Sequence, residues 1–256
     1  MSFVIKDFST GYDQKQIIHS LNLVLKNKEW LGIIGANGSG KSTFLKGIGR
    51  ILKPFSGTAI ISNKNIHDSP TKDIAKEISF LPQIQNNNLQ LSVYEFVCLG
   101  RSPYKEWWDW DLNNYDKSIV LESLKATELY NLKDTLICNL SGGQRQRAFL
   151  SLALAQEPQT LLLDEPTTFL DINYQIKFLN LLKRLKKEET LSIITVIHDI
   201  NLALRFCDRI AILKNGKILA LDKPKKILTK EIIKEAFGVE ISLINTPIGL
   251  QICILD

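Results

Sequence analysis

Apolar and polar residues follow different periods along the chain, and the changes of period divide it into regions. Near the start, Phe3-Val4-Ile5 and Leu21-Asn22-Leu23-Val24-Leu25 alternate with polar neighbours, which predicts antiparallel strands with a turn at Gly11. From about Ser92 to Gln156, apolar residues recur every three or four positions, which predicts helices. Thr160-Leu161-Leu162-Leu163 is then almost wholly apolar, as expected of a strand buried on both faces in a parallel sheet.

After this segment, the pattern alternates between helix and strand. The predicted helices cover Ile172–Lys187 and Asn201–Phe206, and the predicted strands cover Leu191–Ile197 and Arg209–Leu213. Strands that alternate with helices indicate an α/β fold around a mostly parallel sheet. The segment from Lys230 onward predicts one helix and a hairpin across Asn245–Gly249.

The chain of 256 residues is long enough for one large domain with a substantial core. No apolar run approaches the roughly 18 residues of a membrane span, and the first residues lack the apolar core of a signal peptide. Any link to a membrane therefore needs a partner. We expect a single domain over 1–256, with a core at 1–88 and 157–229, a helical insert at 89–156 and a tail at 230–256.

Charge and cysteine content add little to this picture. The formal net charge of +5 is spread along the chain, which favours an ordinary solvated surface over a nucleic-acid or lipid interface. The four cysteines are far apart and form no C-x-x-C pair, so we expect reduced, mostly buried thiols in a reducing compartment. His19 and His67 stand in no chemical context and are predicted to be surface residues.

The first candidate site is a glycine-rich stretch between a short apolar strand, Trp30–Ile34, and a helical pattern. It fits G-x-x-x-x-G-K-[ST], the phosphate loop of nucleotide-binding ATPases. Its glycines let backbone N–H groups turn towards a phosphate at a helix N-terminus, its lysine adds a positive charge, and its serine hydroxyl can bind Mg²⁺. The residues are Gly35, Ala36, Asn37, Gly38, Ser39, Gly40, Lys41, Ser42 and Thr43.

Further candidates lie at the ends of other predicted strands. Asp164 and Glu165 follow an apolar strand, where a phosphate-loop enzyme places an acid for Mg²⁺ and a carboxylate that polarises water. His198 ends the next strand, so it faces the same edge of the sheet and is predicted to contact the γ-phosphate. Gln83, at the end of a strand, could reach Mg²⁺ or the attacking water. Tyr12 fits either a base-stacking ring or a partly buried turn aromatic, and the residues leave both open.

Leu140-Ser141-Gly142-Gly143-Gln144 resembles the signature motif of ATP-binding cassette (ABC) ATPases. Ser141 and the bare glycines at a helix start would form a second anion nest. The resemblance implies a phosphate-loop (RecA-like) core with a mostly parallel sheet, an antiparallel β subdomain at the N-terminus and an inserted helical subdomain. It also implies ATP and Mg²⁺ as cofactors and a head-to-tail dimer of two copies, in which each ATP lies between one phosphate loop and the other copy's signature.

The resemblance assigns a role to each candidate. It implies that Tyr12 stacks on adenine, that Gln83 is the hinge glutamine beside Mg²⁺, and that Ser141, Gly142, Gly143 and Gln144 form the signature. By the same resemblance, Ser42 and Asp164 hold Mg²⁺ and Lys41 neutralises phosphate charge, with Glu165 as the catalytic base and His198 as the switch histidine. Phe169-Leu170-Asp171 matches the loop that crosses the dimer interface.

A finer resemblance involves Val97–Tyr104 and Pro166–Ile172, which look like the importer ATPases for iron-siderophore, haem and vitamin B12. Those work with integral membrane permease subunits and, indirectly, a substrate-binding protein, at the cytoplasmic face of the membrane, with no nucleic acid. Tyr174 departs from the group, which often has histidine there. Trp107, Trp108 and Trp110 are either core or an exposed patch that meets the membrane subunit, and the interleaved acidic residues favour the patch.

Three other functions compete with this interpretation. An ABC exporter, or an importer of another cargo such as a metal ion, shares every catalytic residue. A soluble ABC ATPase of iron–sulfur cluster assembly also fits, whereas the interval between Lys41 and Ser141 leaves no room for the long coiled coil of repair proteins. A binding module without activity is disfavoured by Glu165 and His198.

Overall fold

A computed structural model describes residues 2–83, 89–106, 111–168, 170–188, 191–246 and 249–255. The strands are β1 (Phe3–Tyr12), β2 (Lys15–Leu25), β3 (Trp30–Ile34), β4 (Pro54–Ile61), β5 (Lys64–Asn65), β6 (Ile78–Leu81), β7 (Thr160–Asp164), β8 (Ser192–Val196), β9 (Arg209–Lys214), β10 (Lys217–Asp222), β11 (Glu240–Thr246) and β12 (Gly249–Leu255). The helices are α1 (Lys41–Ile48), α2 (Thr71–Ala75), α3 (Val93–Cys98), α4 (Asn114–Ala126), α5 (Gly142–Ala155), α6 (Ile172–Glu188), α7 (Ile200–Phe206), α8 (Pro224–Ile227) and α9 (Lys230–Phe237).

The chain divides into two compact units, and the first comprises Met1–Ser69, Leu163–Glu165 and Ser192–Asp256. It holds an antiparallel sheet of order β2-β1-β4-β5 and the strand order β10-β9-β3-β8 of a second sheet. In the second sheet β3 is parallel to both β8 and β9, and β10 is antiparallel to β9. All five residues of β3 are buried, as an apolar strand with parallel neighbours on both sides requires. This confirms the expected α/β fold with antiparallel strands near the N-terminus.

The turn between β1 and β2 lies two residues beyond the predicted position. Gly11 belongs to β1 and pairs with Gln16, while Asp13, at φ 50°, is in the turn. Gly11 is needed for another reason: a Cβ there would lie 2.0 Å from the carbonyl oxygen of Lys15. The glycine therefore permits a close approach of β2, and the sequence-based turn at Gly11 was wrong.

The second unit comprises Pro70–Leu162 and Pro166–Leu191. Its core lies among α3, α4 and α5 and contains Val93, Val97, Val120, Leu124 and Ala148, each fully buried. These side chains recur at helical spacing, so the predicted helical segment is confirmed. Strand β6 neighbours β7 in the same sheet. The predicted domain boundaries at 88/89 and 156/157 stay a prediction.

The tail has the predicted helix, α9, and the predicted hairpin, in which β11 pairs with β12 in antiparallel register. Two predictions for histidine and cysteine residues were wrong. His67 is half-buried, stacked on Phe8 and bonded to the Gly47 carbonyl at 3.1 Å. All four cysteines are free, yet Cys253 is exposed and only Cys207 is fully buried. Both differences arise from tertiary packing that no local pattern encodes.

Among the helices of the described residues, none combines the length and the apolar character needed to cross a bilayer. Residues 84–88, the tryptophans among residues 107–110 and Phe169 lie outside the described residues, and so do positions 247 and 248 of the tail.

Candidate nucleotide-binding site

The glycine-rich stretch forms a loop between β3 and α1 in the first unit. Gly35 has φ 155°, and a Cβ there would lie 2.3 Å from the carbonyl oxygen of Leu213, so the loop can pass β9 only with a glycine. Gly40 caps α1 in the left-handed conformation at φ 100°. The loop therefore delivers the first N–H groups of α1, which have no partner within the helix, to one concave surface. Such a surface binds anions.

Lys41 is the buried cation of this loop. Its Nζ donates to the carbonyl oxygens of Gly35 at 2.9 Å and Ala36 at 3.1 Å, and the residue is 6% exposed. Burial lowers the pKa of Lys41, while the nearby carboxylates of Glu165 and Asp164 oppose that shift. The ammonium group is thus held at the loop by weak carbonyl partners that a phosphate oxygen can replace.

Ser39 supplies an independent sign of fit to a phosphate group. Its Oγ is buried and has no hydrogen-bond partner among the described residues. A buried hydroxyl without a partner costs free energy unless a ligand or water satisfies it. A phosphate oxygen in the loop would provide that partner, so the residues present fit a bound nucleotide.

Ser42 and Asp164 meet although they are 122 positions apart: the Ser42 hydroxyl donates to Oδ1 of Asp164 at 2.8 Å. Burial raises the pKa of Asp164, and the neighbouring Glu165 carboxylate adds to that rise, whereas the bond from Ser42 opposes it. A divalent cation beside this pair would offset the cost of the buried charge. No cluster of three His, Cys, Asp or Glu side chains suited to a metal occurs among the described residues.

Glu165 directly follows β7 and is held by the imidazole of His198. Nε2 of His198 lies 2.5 Å from Oε1 of Glu165, and the two side chains are 47% and 16% exposed. Glu165 also has a left-handed backbone at φ 50°, which is uncommon outside glycine and typical of functional positions. No sequence pattern indicated this conformation. The structure thus brings Lys41, Ser42, Asp164, Glu165 and His198 together in the first unit.

Tyr12 lies at the end of β1 and is 43% exposed. It lines a shallow cavity of about 320 Å³ together with Ile51, Pro54 and Phe55. Ile51 and Phe55 are also about half exposed. An exposed ring beside apolar side chains can stack on a flat group such as a base, so the base-stacking interpretation of Tyr12 remains available.

The signature residues start α5 in the second unit. Ser141 and Gln144 form a capping box, in which Gln144 N donates to Ser141 Oγ at 3.3 Å and Ser141 N donates to Gln144 Oε1 at 2.9 Å. A Cβ on Gly143 would lie 2.8 Å from the ring of Tyr174, which makes a side chain at Gly143 costly. Gly142 and Gly143 therefore leave the first turn of α5 bare, as an anion nest requires.

Asp171 and Gln83 also lie in the second unit, and both are exposed. Asp171 caps the start of α6, since its Oδ1 accepts from the backbone N–H of Tyr174 at 3.0 Å. Gln83 follows β6. Their predicted roles, like those of the signature residues, stay predictions.

Sequence reasoning missed the role of Arg101, which is 1% exposed. Its guanidinium donates at 2.7 Å to Oδ1 of Asp116, to Oε2 of Glu157 and to the carbonyl oxygen of Ala155 at the end of α5. The ring of Tyr104 covers the guanidinium at 3.9 Å. Arg101 thereby joins the turn after α3 to α4 and to the end of α5. The three partners are distant in sequence, so no local signal could have found them.

This geometry defines a phosphate-loop nucleotide-binding protein, and the chain matches the family described as ABC transporter over residues 18–168. It is 41% identical over 233 residues to the petrobactin import ATP-binding protein FpuC of Bacillus anthracis, covering 91% of this chain and 85% of the relative. It is 37% identical over 246 residues to the iron(3+)-hydroxamate import ATP-binding protein FhuC of Bacillus subtilis (strain 168), covering 96% and 91%.

Among solved structures, one chain of an ABC transporter in an inward-facing conformation has a TM-score of 0.85 at 24% identity, covering 99% of this chain and 96% of that one, which shows the shared fold. The chain belongs to the ABC transporter family, whose ATP-binding subunits are ATPases.

Proposed function

We propose that this chain is the ATP-hydrolysing subunit of an importer for an iron chelate, with haem and vitamin B12 as the other cargo classes of the group. The carrying observation is the cluster of Lys41, Ser42, Asp164, Glu165 and His198 beside the phosphate loop. Relatives named for petrobactin import and iron(3+)-hydroxamate import support the cargo class. The subunit would bind integral membrane permease subunits at the cytoplasmic face, and a substrate-binding protein would feed the complex indirectly.

In the proposed reaction, the carboxylate of Glu165 accepts a proton from the water that attacks the γ-phosphate. The new bond joins the water oxygen to phosphorus, and the bond from phosphorus to the bridging oxygen of ADP breaks. His198, which lies 2.5 Å from the Glu165 carboxylate, would hold the γ-phosphate beside it as the switch histidine. Lys41 exchanges its loop carbonyls for phosphate oxygens. Bound Mg²⁺ would neutralise charge on the β- and γ-phosphates, held by Ser42 and Asp164, with Gln83 as a further candidate ligand.

The signature at Ser141 would act on the nucleotide of a second copy. Its bare helix start can bind phosphate, and a head-to-tail pair of copies gives each nucleotide one phosphate loop and one signature. Asp171 would lie at the same interface. Hydrolysis would remove the γ-phosphate that joins the copies, which is a ligand-driven switch between two arrangements.

Glu165→Gln tests the catalytic assignment. The substitution keeps the size of the side chain but removes the base, so hydrolysis should fall by roughly 10²–10⁴-fold while ATP binding is kept. Phosphate release and nucleotide affinity are measured on the same preparation. The matched control is Glu128→Gln, which makes the same chemical change at a side chain that is 62% exposed. Normal hydrolysis by Glu165→Gln would show that Glu165 is not the base.

A pull-down from membranes with tagged protein tests the transport assignment. We expect a polytopic permease subunit and a binding protein for a metal chelate or haem, identified by mass spectrometry. A soluble scaffold protein without a membrane partner would leave the ATPase assignment standing and favour the cluster-assembly function instead.

A further inference from the structure

A cavity of about 630 Å³ lies in the second unit, between α5 and α6. Its walls include Gly143 and Arg147 of α5 and Tyr174, Lys177 and Arg184 of α6. Residues three or four apart share one face of a helix, so each helix turns a single face to the cavity. The volume is within the range of small-molecule sites. The phosphate loop belongs to the first unit, so this cavity is not part of that loop.

One end of the cavity holds two guanidinium groups that converge on the same carboxylate. Nη1 of Arg147 lies 3.1 Å from Oε2 of Glu128, and Nη1 of Arg184 lies 3.6 Å from Oε1. Nη2 of Arg184 also donates to the carbonyl oxygen of Ala126 at 2.7 Å, which fixes the direction of the guanidinium. The carboxylate therefore marks a position where one anion meets both arginines. The Glu128 side chain is 62% exposed, and an ion pair so exposed contributes little, so another anion can replace it.

The other end of the cavity holds an aromatic ring. Tyr174 is 40% exposed, and a Cβ on Gly143 would lie 2.8 Å from its ring. The ammonium group of Lys177 lies 5.4 Å from the centroid of the same ring. Phe178 and Leu181 line the cavity as well and are 3% and 7% exposed, so they give it an apolar floor. An exposed ring above an apolar floor favours a flat apolar group.

The charge of the cavity favours an anion. Its cations are Arg147, Lys177 and Arg184. Glu128 is the only acid among the described residues that line it, which leaves a formal charge of +2. A phosphate monoester carries about −1.5 to −2 at pH 7, and guanidinium groups bind its oxygens through paired hydrogen bonds. Tyr174 and Arg184 are roughly 15 Å apart along α6, at about 1.5 Å of rise per residue, so a ring and a phosphate fit between them.

We propose that this cavity binds a small phosphate monoester that carries a flat apolar ring. The phosphate takes the place of the Glu128 carboxylate between Arg147 and Arg184. The ring stacks on Tyr174, and the ammonium group of Lys177 lies beside it. The inference goes beyond the proposed transport function and does not depend on it, because every residue of the cavity belongs to the second unit and none has a part in the transfer of the γ-phosphate.

Isothermal titration calorimetry with naphthyl phosphate tests the site. Arg147→Met and Arg184→Met should each raise the dissociation constant at least about tenfold, because each removes charge-assisted hydrogen bonds to the phosphate. The matched control is Lys183→Met, which removes an exposed cation of α6 that does not line the cavity and should bind like wild type. Inorganic phosphate and naphthol each supply one half of the ligand and should each bind at least about tenfold more weakly. Circular dichroism confirms that each variant is folded.

Two further variants locate the ring and separate the cavity from the phosphate loop. Tyr174→Ala should weaken the binding of naphthyl phosphate but not that of inorganic phosphate, because only the ring loses its contact. Lys41→Met alters the phosphate loop and should leave the affinity for naphthyl phosphate unchanged. The proposal is overturned if wild type shows no saturable binding at about millimolar concentration, if either arginine variant binds like wild type, or if Lys183→Met or Lys41→Met weakens binding as much as they do.

Discussion

Replacing Arg101 with methionine should destabilise the helical unit more than any exposed charge substitution. Methionine fills most of the volume of the arginine stem but carries no cation. The change removes three hydrogen bonds of 2.7 Å and leaves the Asp116 carboxylate, whose side chain is 6% exposed, without its guanidinium partner. Breaking a buried ion pair in this way costs about 3–5 kcal/mol of unfolding free energy. The loss of the Glu157 contact adds little to this cost, because the Glu157 side chain is 36% exposed and water can solvate its carboxylate.

The assay is thermal and urea unfolding followed by circular dichroism. For a chain of this length, about 1 kcal/mol shifts Tm by about 2–4 °C, so the expected loss is roughly 6–20 °C. Because the chain has two compact units, circular dichroism and fluorescence must report the same urea transition before a free energy is derived. The matched control is Arg147→Met, whose ion pair with Glu128 spans 3.1 Å with side chains 23% and 62% exposed. It should cost at most about 1 kcal/mol.

A second variant separates the lost charge pair from general damage. Adding Asp116→Asn to Arg101→Met removes the unpaired buried charge, so the double variant should recover part of the stability. The reasoning is refuted if Arg101→Met is no less stable than Arg147→Met, or if the double variant is no more stable than Arg101→Met alone.

The remaining predictions concern Asp164 and Ser141. Burial raises the pKa of Asp164 in the folded protein above its ordinary 3.8. Asp164 therefore adds to the free energy of unfolding below pH 3.8, where it is protonated, and this contribution is lost as pH rises through the raised pKa. Asp164→Asn removes the buried charge, so without nucleotide it should raise Tm above pH 3.8, and a Tm difference independent of pH would contradict this. Because Asp164 is a proposed ligand of Mg²⁺, the same variant should stop hydrolysis. Ser141→Arg should abolish turnover while one copy still binds ATP. Ser92 and Glu95 form a capping box at the start of α3, like that of Ser141 and Gln144 at the start of α5. Ser92→Arg should therefore cost a similar amount of about 1 kcal/mol but keep turnover, and equal loss of turnover in both variants would count against a special role of Ser141.

Features set by neighbouring residues were readable from the sequence alone. The phosphate loop needs only its own glycines and lysine between a strand and a helix, and both flanking elements, β3 and α1, are where the pattern predicted them. The helical segment around α5 and the α/β alternation also followed from periodicity, because side-chain spacing reflects the repeat of each element. The motifs of the loop and the signature were then enough to indicate the family.

Only the tertiary structure decided which distant groups meet. It placed the Ser42 hydroxyl at 2.8 Å from the Asp164 carboxylate and put Glu165, with its left-handed backbone, beside His198. It also brought Asp116, Ala155 and Glu157 within hydrogen-bond distance of Arg101. It also showed that the Asn201 side chain bonds both main-chain groups of Ile252 on the tail hairpin. Such contacts depend on how packed elements are oriented in space. A pattern of residue types encodes the local backbone and the buried face, but it does not specify the partner across that face.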